Sequence, residues 1–270
     1  MINKTIIFGL LFSITTSIHA ITIGTAKHLP DGIYLVNYLF NYQSKKLNDS
    51  NKNVKLDNFN LNYTQYIFRP IYYKNNFVYF VTIPFIHKKI GYFNSSKSSL
   101  GDSFAAVGYF LPIEDIDIAP VLQIKFPFGE FDKNSNNNIG SDTYSIHPEL
   151  YINKSFESFE LDAVIKYVIN FKNTQTGIKN ADIFKLESVI GYKASNKLKY
   201  GPSFSYSKSH KKEIDGVKID NSEVINLKVG ADIKYFFNKR TDLLFNFMQD
   251  IDSKNTTKGF SSMLRVMFIF

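Results

Sequence analysis

Apolar and polar residues alternate with a period of two along most of the chain from residue 32 onward. This spacing is typical of β-strands with one apolar and one polar face, whereas the spacing of about 3.6 residues that marks amphipathic helices is hard to find. The alternating segments are about ten residues long or longer, as a tilted strand must be to cross a bilayer. Twelve strands are predicted: Gly32–Gln43, Asp57–Arg69, Phe77–Ile86, Leu100–Phe110, Ile116–Phe126, Ser141–Asn153, Ser158–Asn170, Asn180–Tyr192, Lys197–Ser207, Ser222–Tyr235, Thr241–Asp250 and Gly259–Phe270.

Each predicted strand has an apolar face, which we expect to contact lipid, and a polar face, which we expect to enclose water. The apolar face of the first strand comprises Tyr34, Val36, Tyr38, Phe40 and Tyr42. That of the seventh strand comprises Phe159, Leu161, Ala163, Ile165, Tyr167 and Ile169. That of the tenth strand comprises Ile225, Leu227, Val229, Ala231 and Ile233. The third strand fits less well, because Val78, Phe80 and Ile86 fall on its nominally polar face.

The connections between the predicted strands alternate in length. Those after the odd strands are long or polar: Ser44–Leu56, His87–Ser99, Pro127–Gly140, Phe171–Lys179, Lys208–Asn221 and Ile251–Lys258. Those after the even strands are mostly shorter: Pro70–Asn76, Leu111–Asp115, Lys154–Glu157, Lys193–Asn196 and Phe236–Arg240. Long outer loops that alternate with short periplasmic turns are expected of a membrane barrel with both termini in the periplasm.

The first twenty residues have the features of a secretory signal peptide. Lys4 supplies the positive charge, Ile6–Phe12 form an apolar stretch too short to span a bilayer, and small and polar residues lead to Ala20. Cleavage after Ala20 is predicted, although Ile18 occupies a position that usually holds a small residue. The predicted organisation is therefore a signal peptide over 1–20, a short N-terminal segment over 21–31 and a barrel over 32–270. The segment is too short to be predicted as a plug domain or a secreted passenger.

The C-terminal strand ends in an aromatic residue. Leu264, Val266, Phe268 and Phe270 share one face, and Phe270 is the last residue. This arrangement resembles the signature by which the barrel-assembly machinery recognises outer-membrane proteins, so that machinery is an expected partner.

A soluble β-sandwich or barrel would show the same alternation, because the pattern does not say which face is inside. A soluble barrel of twelve strands would have a wide interior to fill, since eight strands leave room for little more than side chains. Aromatic residues also crowd the predicted strand ends, as they do in membrane-interface girdles. The sequence therefore predicts an all-β fold, a closed antiparallel transmembrane β-barrel of about twelve strands in the outer membrane of a Gram-negative bacterium.

The composition supports this fold and excludes several kinds of chemistry. The chain has 26 Phe and 17 Tyr, which favour strands, and it has no Trp and no Cys. The lack of Cys excludes disulfides, thiol catalysis and zinc-thiolate sites. The formal net charge is +8, but the lysines are scattered and no nucleic-acid motif is present, so nucleic acid is not an expected partner. Lys208, His210, Lys211 and Lys212 in an outer loop could contact the anionic lipopolysaccharide of the outer leaflet.

No catalytic residue, metal site or cofactor is predicted. No two histidines have metal-ligand spacing, and no glycine-rich phosphate loop is present. His147 and Glu149 share a polar face, and a lone pair of this kind is more often a pore lining than a catalytic dyad. A lipid-modifying enzyme would need a nucleophile and an orienting partner beside His147, and the sequence near His147 offers neither.

The charged residues of the polar faces are the best candidates for a pore lining. Basic and acidic residues are nearly balanced on these faces, and Lys193, Lys199 and Lys234 belong to them. Such a lumen would hold water and cross-barrel ion pairs without a strong charge preference. The selected candidates are Asp117, Lys125, His147, Glu149, Glu160, Asp162, Lys166, Lys185, Glu187, Lys228, Asp232 and Arg265.

The stretch after the fifth predicted strand could form a constriction. Pro127 ends the strand, Gly129 permits a sharp turn, and Phe128 and Phe131 add aromatic rings at the mouth. One interpretation is a loop that folds inward through Phe128, Gly129 and Phe131. The alternative is a rim turn anchored by its aromatic rings.

Several short motifs resemble the phenol-degradation MetA-pathway family. They are Leu29-Pro30-Asp31-Gly32-Ile33-Tyr34, Leu100-Gly101-Asp102, Phe126-Pro127-Phe128-Gly129-Glu130-Phe131-Asp132 with Asn138-Ile139-Gly140, and Tyr200-Gly201-Pro202. Phe128 departs from the family, which more often has a small or hydroxylated residue there. The resemblance implies an outer-membrane transporter with a connection to aromatic compounds.

The predicted function is a passive outer-membrane channel for small, hydrophobic or aromatic solutes. Two alternatives remain open: a structural or adhesive barrel that acts through its outer loops, and an outer-membrane lipid-modifying enzyme.

Overall fold

A computed structural model describes residues 21–48, 53–54 and 59–270 of the chain. The predicted signal peptide over 1–20 lies outside the described residues, as does the start of the second predicted strand at Asp57. Among the described residues, no helix has the length and apolarity needed to cross a membrane.

Twelve long strands form one closed antiparallel barrel, which confirms the predicted fold. Each strand pairs with the next along the chain, and the last pairs with the first from Tyr34–Ile269 to Asn48–Thr256, so the wall has no free edge at this seam. The barrel strands are β1 Gly32–Asn48, β2 Leu61–Lys74, β3 Phe77–Ile90, β4 Ser103–Tyr109, β5 Asp117–Phe126, β6 Ser145–Ser155, β7 Phe159–Asn170, β8 Ile183–Lys193, β9 Leu198–Ser209, β10 Ile225–Asn238, β11 Thr241–Lys254 and β12 Thr256–Ile269.

Some strands exceed their predicted lengths, among them β1, β3, β11 and β12, whereas β4, β6 and β8 are shorter than predicted. The predicted loop over Ile251–Lys258 is wrong, because β11 and β12 continue to a tight turn at Asn255. The predicted connection Pro70–Asn76 is likewise reduced to a turn at Asn75 and Asn76. All three turn residues have positive φ angles, which Asn tolerates better than most residues do.

The end of the barrel opposite the turn at Asn75 and Asn76 carries the longer connections. Residues 91–102 include the 3₁₀ helix Gly91–Phe93 and the strand Ser95–Leu100, which extends the wall beside β3. The connections after β7 and β9 contribute a small separate sheet made of Ile178–Lys179, Glu213–Ile214 and Val217–Lys218. Another short strand, Asn53–Val54, pairs with the end of β1.

An apolar band covers the outside of the barrel. Along β3 the exposed side chains alternate with buried ones, so that one face of the strand looks outward and the other looks into the barrel. Aromatic rings also pack side by side near the short turns, as in a membrane-interface girdle. The large exposed side chains include Ile33, Leu39, Tyr79, Val81, Ile83, Phe85, Leu122, Ile165, Ile190, Val229, Ile233, Phe245, Phe247, Leu264 and Phe268.

Candidate channel lumen

The inner wall of the barrel is divided into two sectors. The aromatic sector, on β1–β3, is formed by inward residues that are mostly aromatic or aliphatic: Tyr34, Val36, Tyr38, Phe40, Tyr42, Leu61, Tyr63, Ile67, Tyr73, Val78, Phe80, Ile86 and Ile90. The charged sector, on β6–β12, is formed by buried polar residues: His147, Glu149, Asn153, Glu160, Asp162, Lys166, Lys185, Asp232, Lys234, Asp242, Asn246, Asp250 and Arg265.

The predicted orientation of β1 is wrong. Tyr34 and Phe40 are buried inside the barrel, whereas Leu39 is 51% exposed on the outer surface. The inward face of β1 from Tyr34 to Tyr42 is aromatic apart from Val36, whereas the outward face from Ile33 to Gln43 mixes three aliphatic residues with three polar ones. By contrast, Ile165 and Val229 are 38% and 40% exposed, in agreement with the outward faces predicted for β7 and β10.

The aromatic sector contains an arginine between two rings. The guanidinium carbon of Arg69 lies 5.3 Å from the ring centre of Tyr38 and 5.2 Å from that of Phe80. Arg69 Nε also donates to Thr82 Oγ1 at 3.0 Å. Stacking on aromatic faces and hydrogen bonding keep a buried cation favourable in mainly apolar surroundings. Arg69 ends the second predicted strand and was not selected from the sequence.

Ion pairs connect neighbouring strands in the charged sector. Lys166 Nζ lies 2.7 Å from Glu149 Oε1, and Lys228 Nζ lies 3.3 Å from Asp250 Oδ1. Glu160 pairs with Lys199. Buried charges need partners of opposite sign, and these pairs largely neutralise one another.

Asp242, on β11, forms ion pairs with one cation on each of the two neighbouring strands. Its carboxylate lies 2.9 Å from Arg265 Nη2 and 3.3 Å from Lys234 Nζ. Asp242 and Asp250 were not among the lining residues predicted from the sequence. The sequence does contain a signal for them, because Asp242, Asn246 and Asp250 recur on one face of β11 and mark that face as polar.

All twelve selected lining candidates are at least partly withdrawn from the outer surface. Asp117, Glu187 and Lys228 are half-buried. The other nine are buried: Lys125, His147, Glu149, Glu160, Asp162, Lys166, Lys185, Asp232 and Arg265.

Residues 21–31 enter the barrel instead of lying outside it. Ile21, Ile23 and Ala26 are at most 3% exposed and belong to the same apolar cluster as the aromatic sector. The segment was expected to be too short for a plug domain. It forms no domain, yet it occupies the lumen as an irregular chain, since the interior is narrow enough for a few buried residues to fill it.

The main chain of this segment donates to three carboxylates of the wall. Asp162 accepts hydrogen bonds from Gly24 N at 2.8 Å and Ala26 N at 3.0 Å. Asp232 accepts from Ile23 N at 3.1 Å, and Asp117 accepts from His28 N at 3.0 Å. These three aspartates come from β5, β7 and β10, so the segment is bound from several sides of the lumen.

Further contacts fix the same segment. Arg265 Nη1 donates to Thr22 Oγ1 at 3.1 Å, and Lys234 Nζ donates to Ile23 O at 3.4 Å. The imidazole of His28 stacks on Phe110 with ring centres 4.5 Å apart.

A small cavity lies beside the segment. A cavity of about 30 Å³ adjoins Ile21, which is room for about two water molecules. Its walls come from both sectors: Tyr38, Arg69, Gln123, Glu149, Tyr151, Val164, Lys166, Glu187 and Met263. The segment and both sectors therefore meet around this cavity inside the lumen.

The connection over residues 127–144 folds against the outer mouth. Asp102 accepts hydrogen bonds from Gly129 N at 3.1 Å and from Ser141 N at 3.0 Å, and it lies 3.4 Å from Lys125 Nζ. The backbones of Gly129 and Gly140 touch, so a Cβ on either residue would collide with the other. The motifs Leu100-Gly101-Asp102 and Asn138-Ile139-Gly140 therefore meet at one place.

The residues selected as a constriction do not all enter the mouth. The ring of Phe128 is 69% exposed and stacks on Phe126, as a rim anchor would. Gly129 and Phe131 are half-buried. The inward part of the connection is formed by residues 137–141, where Lys88 Nζ donates to Asn138 O at 2.8 Å.

His147 has a hydroxyl and an amide beside it. Its Nε2 lies 2.8 Å from Ser145 Oγ, and its Nδ1 lies 3.3 Å from Gln123 Oε1. The expectation that nothing near His147 supplies a nucleophile and an orienting partner is therefore wrong. Ser145 is two residues from His147 on the same face of β6. Gln123 lies opposite His147 on β5, and this cross-strand pairing cannot be read from the sequence alone.

Within the described part of the chain, no three His, Cys, Asp or Glu side chains are grouped so that they could hold a metal ion.

Comparisons with known proteins agree with this architecture. A family model described as "Putative MetA-pathway of phenol degradation" matches residues 44–266. The COG4313 outer membrane channel from Pseudomonas putida F1 superposes with a TM-score of 0.82 at 15% identity, over 92% of this chain and 98% of that chain. The β domain of the Bordetella autotransporter BrkA has a TM-score of 0.57 at 9% identity, over 89% of this chain and 100% of that one. The NanC porin has a TM-score of 0.52 at 9% identity, over 86% and 98%. No curated protein sequence matches significantly.

Proposed function

Since the chain belongs to the family described as "Putative MetA-pathway of phenol degradation", we propose that it forms a passive outer-membrane channel for small solutes that carry both an aromatic or apolar body and a polar group. The observation that carries this proposal is the two-sided lumen. One part of the inner wall offers rings such as Tyr38 and Phe80, and another part offers fixed charges such as Lys166 and Glu149.

The chemistry of the two sectors explains why such a solute would pass. A purely apolar solute would displace water from the charged sector without replacing its hydrogen bonds, and a purely polar solute would gain nothing from the aromatic sector. A phenol or an aromatic amino acid can face both walls at once. The apolar outer band, the girdle and the fold shared with a known outer-membrane channel support placement in that membrane.

The proposed membrane partners are lipopolysaccharide and the barrel-assembly machinery. Lys211 and Lys212 lie in the connection between β9 and β10, where the outer leaflet would be. The ring of Phe270 is 74% exposed at the other end of the barrel, which leaves the terminal aromatic residue accessible to the assembly machinery.

Liposome swelling tests the channel proposal. Proteoliposomes would be challenged with sugars, amino acids and phenols of similar size, and the initial swelling rates would be compared with those of protein-free liposomes. We expect the fastest swelling with phenols and aromatic amino acids. An absence of swelling with every solute, both for the full chain and for a variant lacking residues 22–28, would reject the channel and favour a barrel that acts through its outer loops.

A second candidate function is hydrolysis at Ser145. The arrangement of Ser145, His147 and Gln123 has the order of hydrogen bonds that activates a serine nucleophile. Ser145 and His147 are 1% and 3% exposed, so a substrate would reach them only if the groups that cover them moved. Labelling with a fluorophosphonate tests this function. A label on the intact chain that is lost in both Ser145→Ala and His147→Ala would support it, and no label would reject it.

A further inference from the structure

We propose that Asp117, Asp162 and Asp232 form a binding site for the N-terminal segment, and that release of residues 22–28 from this site opens the channel, a role that rests on the channel function proposed above. The site is an acceptor site for main-chain N–H groups. Its occupant in the closed state is the chain's own segment.

The three aspartates differ from most other carboxylates of the inner wall. Among the described residues, no Lys or Arg nitrogen lies within 4 Å of Asp117, Asp162 or Asp232. The ion-paired carboxylates are Asp102, Glu149, Glu160, Asp242 and Asp250. None of these five carboxylates accepts a main-chain hydrogen bond from residues 21–31. The segment therefore binds at three of the wall carboxylates that lie outside these ion pairs. Glu187, a lining carboxylate that is likewise outside them, accepts a hydrogen bond from Ser205 Oγ at 3.4 Å instead.

Side-chain amides of the wall also hold two of these carboxylates in place through hydrogen bonds. Asn153 Nδ2 donates to Asp162 Oδ1 at 3.0 Å, and Asn246 Nδ2 donates to Asp232 Oδ1 at 2.6 Å. Asp162 and Asp232 are both 0% exposed. A buried carboxylate needs several donors, and each amide supplies only one of them, so the segment completes the set.

The segment can leave without dismantling the barrel. Within the described ranges, residues 21–31 belong to no strand, so their release breaks no hydrogen bond between barrel strands. Pro30 and Asp31 are exposed at the rim where the segment joins β1. Burial of Ile21, Ile23 and Ala26 favours the bound state, so the closed form is expected to predominate at rest.

Cysteine labelling measures release of the segment directly. The chain has no Cys, so a membrane-impermeant maleimide would react only with an introduced Ala26→Cys. Each Asp→Asn change removes a charge and one acceptor oxygen, and loss of charge-assisted hydrogen bonds of this kind shifts a two-state equilibrium by about tenfold or more. We therefore expect Asp162→Asn together with Asp232→Asn to raise the labelling rate at least about tenfold.

A matched control and a second variant distinguish release of the segment from a general effect of removing a buried charge. Asp250→Asn removes an equally buried carboxylate that is paired with Lys228 and does not touch the segment, and its labelling rate should stay near that of the parent. Gly24→Ala keeps every charge, but it places a Cβ 3.0 Å from Lys234 Nζ at a residue with φ +80°, so it should also speed labelling. Equal rates in all four proteins would overturn the binding site.

Planar-bilayer recordings connect the site with gating. Deletion of residues 22–28 should give a larger and more persistent conductance than the full chain, and Asp162→Asn with Asp232→Asn should raise the open fraction. Equal conductance of the full chain and the deletion variant would overturn the gate while the channel function stands. Faster labelling without conductance in any variant would retain the binding site but reject both the gate and the channel.

Discussion

The aromatic sector and the charged sector occupy different parts of the inner wall of one lumen, and they are stabilised in different ways. In the aromatic sector, side chains such as Phe40 and Tyr63 pack against one another with ring centres 6.5 Å apart. In the charged sector, individual ion pairs such as Lys166 with Glu149 contribute to stability. Each buried charge of such a pair is neutralised by its partner. Apolar packing is spread over many contacts, whereas a buried charge without its partner is costly. The two walls should therefore respond differently to substitution.

The largest effect is expected in the charged sector. Lys166→Met leaves Glu149 as a buried carboxylate without its ion-pair partner, and breaking a buried pair costs about 3–5 kcal/mol. Unfolding in detergent, followed through the loss of β-structure with increasing denaturant, should show this loss of stability. The double variant Lys166→Met with Glu149→Gln should recover most of it. An unchanged transition in the single variant would show that the pair is not buried as described.

A slightly smaller effect is expected on the lipid face. Leu39 is 51% exposed near the middle of β1, and an arginine on the lipid face at the bilayer midplane costs about 2–4 kcal/mol. Leu39→Arg should lower the free energy of unfolding in lipid bilayers by that amount. The matched control is Leu39→Phe, which keeps an apolar surface and should behave as the parent does. Equal stability of both variants would mean that Leu39 does not contact lipid.

The smallest effect is expected in the aromatic sector. Phe80→Leu keeps an apolar side chain but removes the ring that lies 5.2 Å from the guanidinium of Arg69, at a cost of about 1–2 kcal/mol. The outward Phe85→Leu on the same strand is the control, and a change of less than about 0.5 kcal/mol is expected there. If Phe80→Leu cost more than Lys166→Met, the contrast between the two sectors would be wrong.

Most strands could be predicted because their residues alternate between an apolar outward face and a polar inward face. In β7, Ile165 and Asp162 fall on opposite faces, and lipid outside with polar groups inside accounts for both positions. The rule failed for β1, because its more apolar, aromatic face looks into the barrel and its mixed aliphatic and polar face looks outward. Which apolar face looks inward depends on the neighbouring strands, and one strand's pattern does not contain that information.

The site could be predicted only in part, for a related reason. Asp162 and Asp232 were selected from their position on polar faces, but their lack of a cation partner is visible only when the barrel is closed. Their ligands are the backbone N–H groups of Ile23, Gly24 and Ala26. Every residue except proline has such a group, so the composition of the segment gives no signal that it will bind in the lumen.

The orientation of β1 is the most direct test of the central claim that the aromatic face of this strand lines the lumen and that the face carrying Leu39 contacts lipid. The chain has no Trp, so a single introduced Trp reports its own surroundings. In bilayers that contain brominated lipids, we predict strong quenching of the fluorescence of Leu39→Trp and weak quenching of that of Phe40→Trp. The opposite result, with Trp at position 40 quenched and Trp at position 39 protected, would contradict the two-sector lumen.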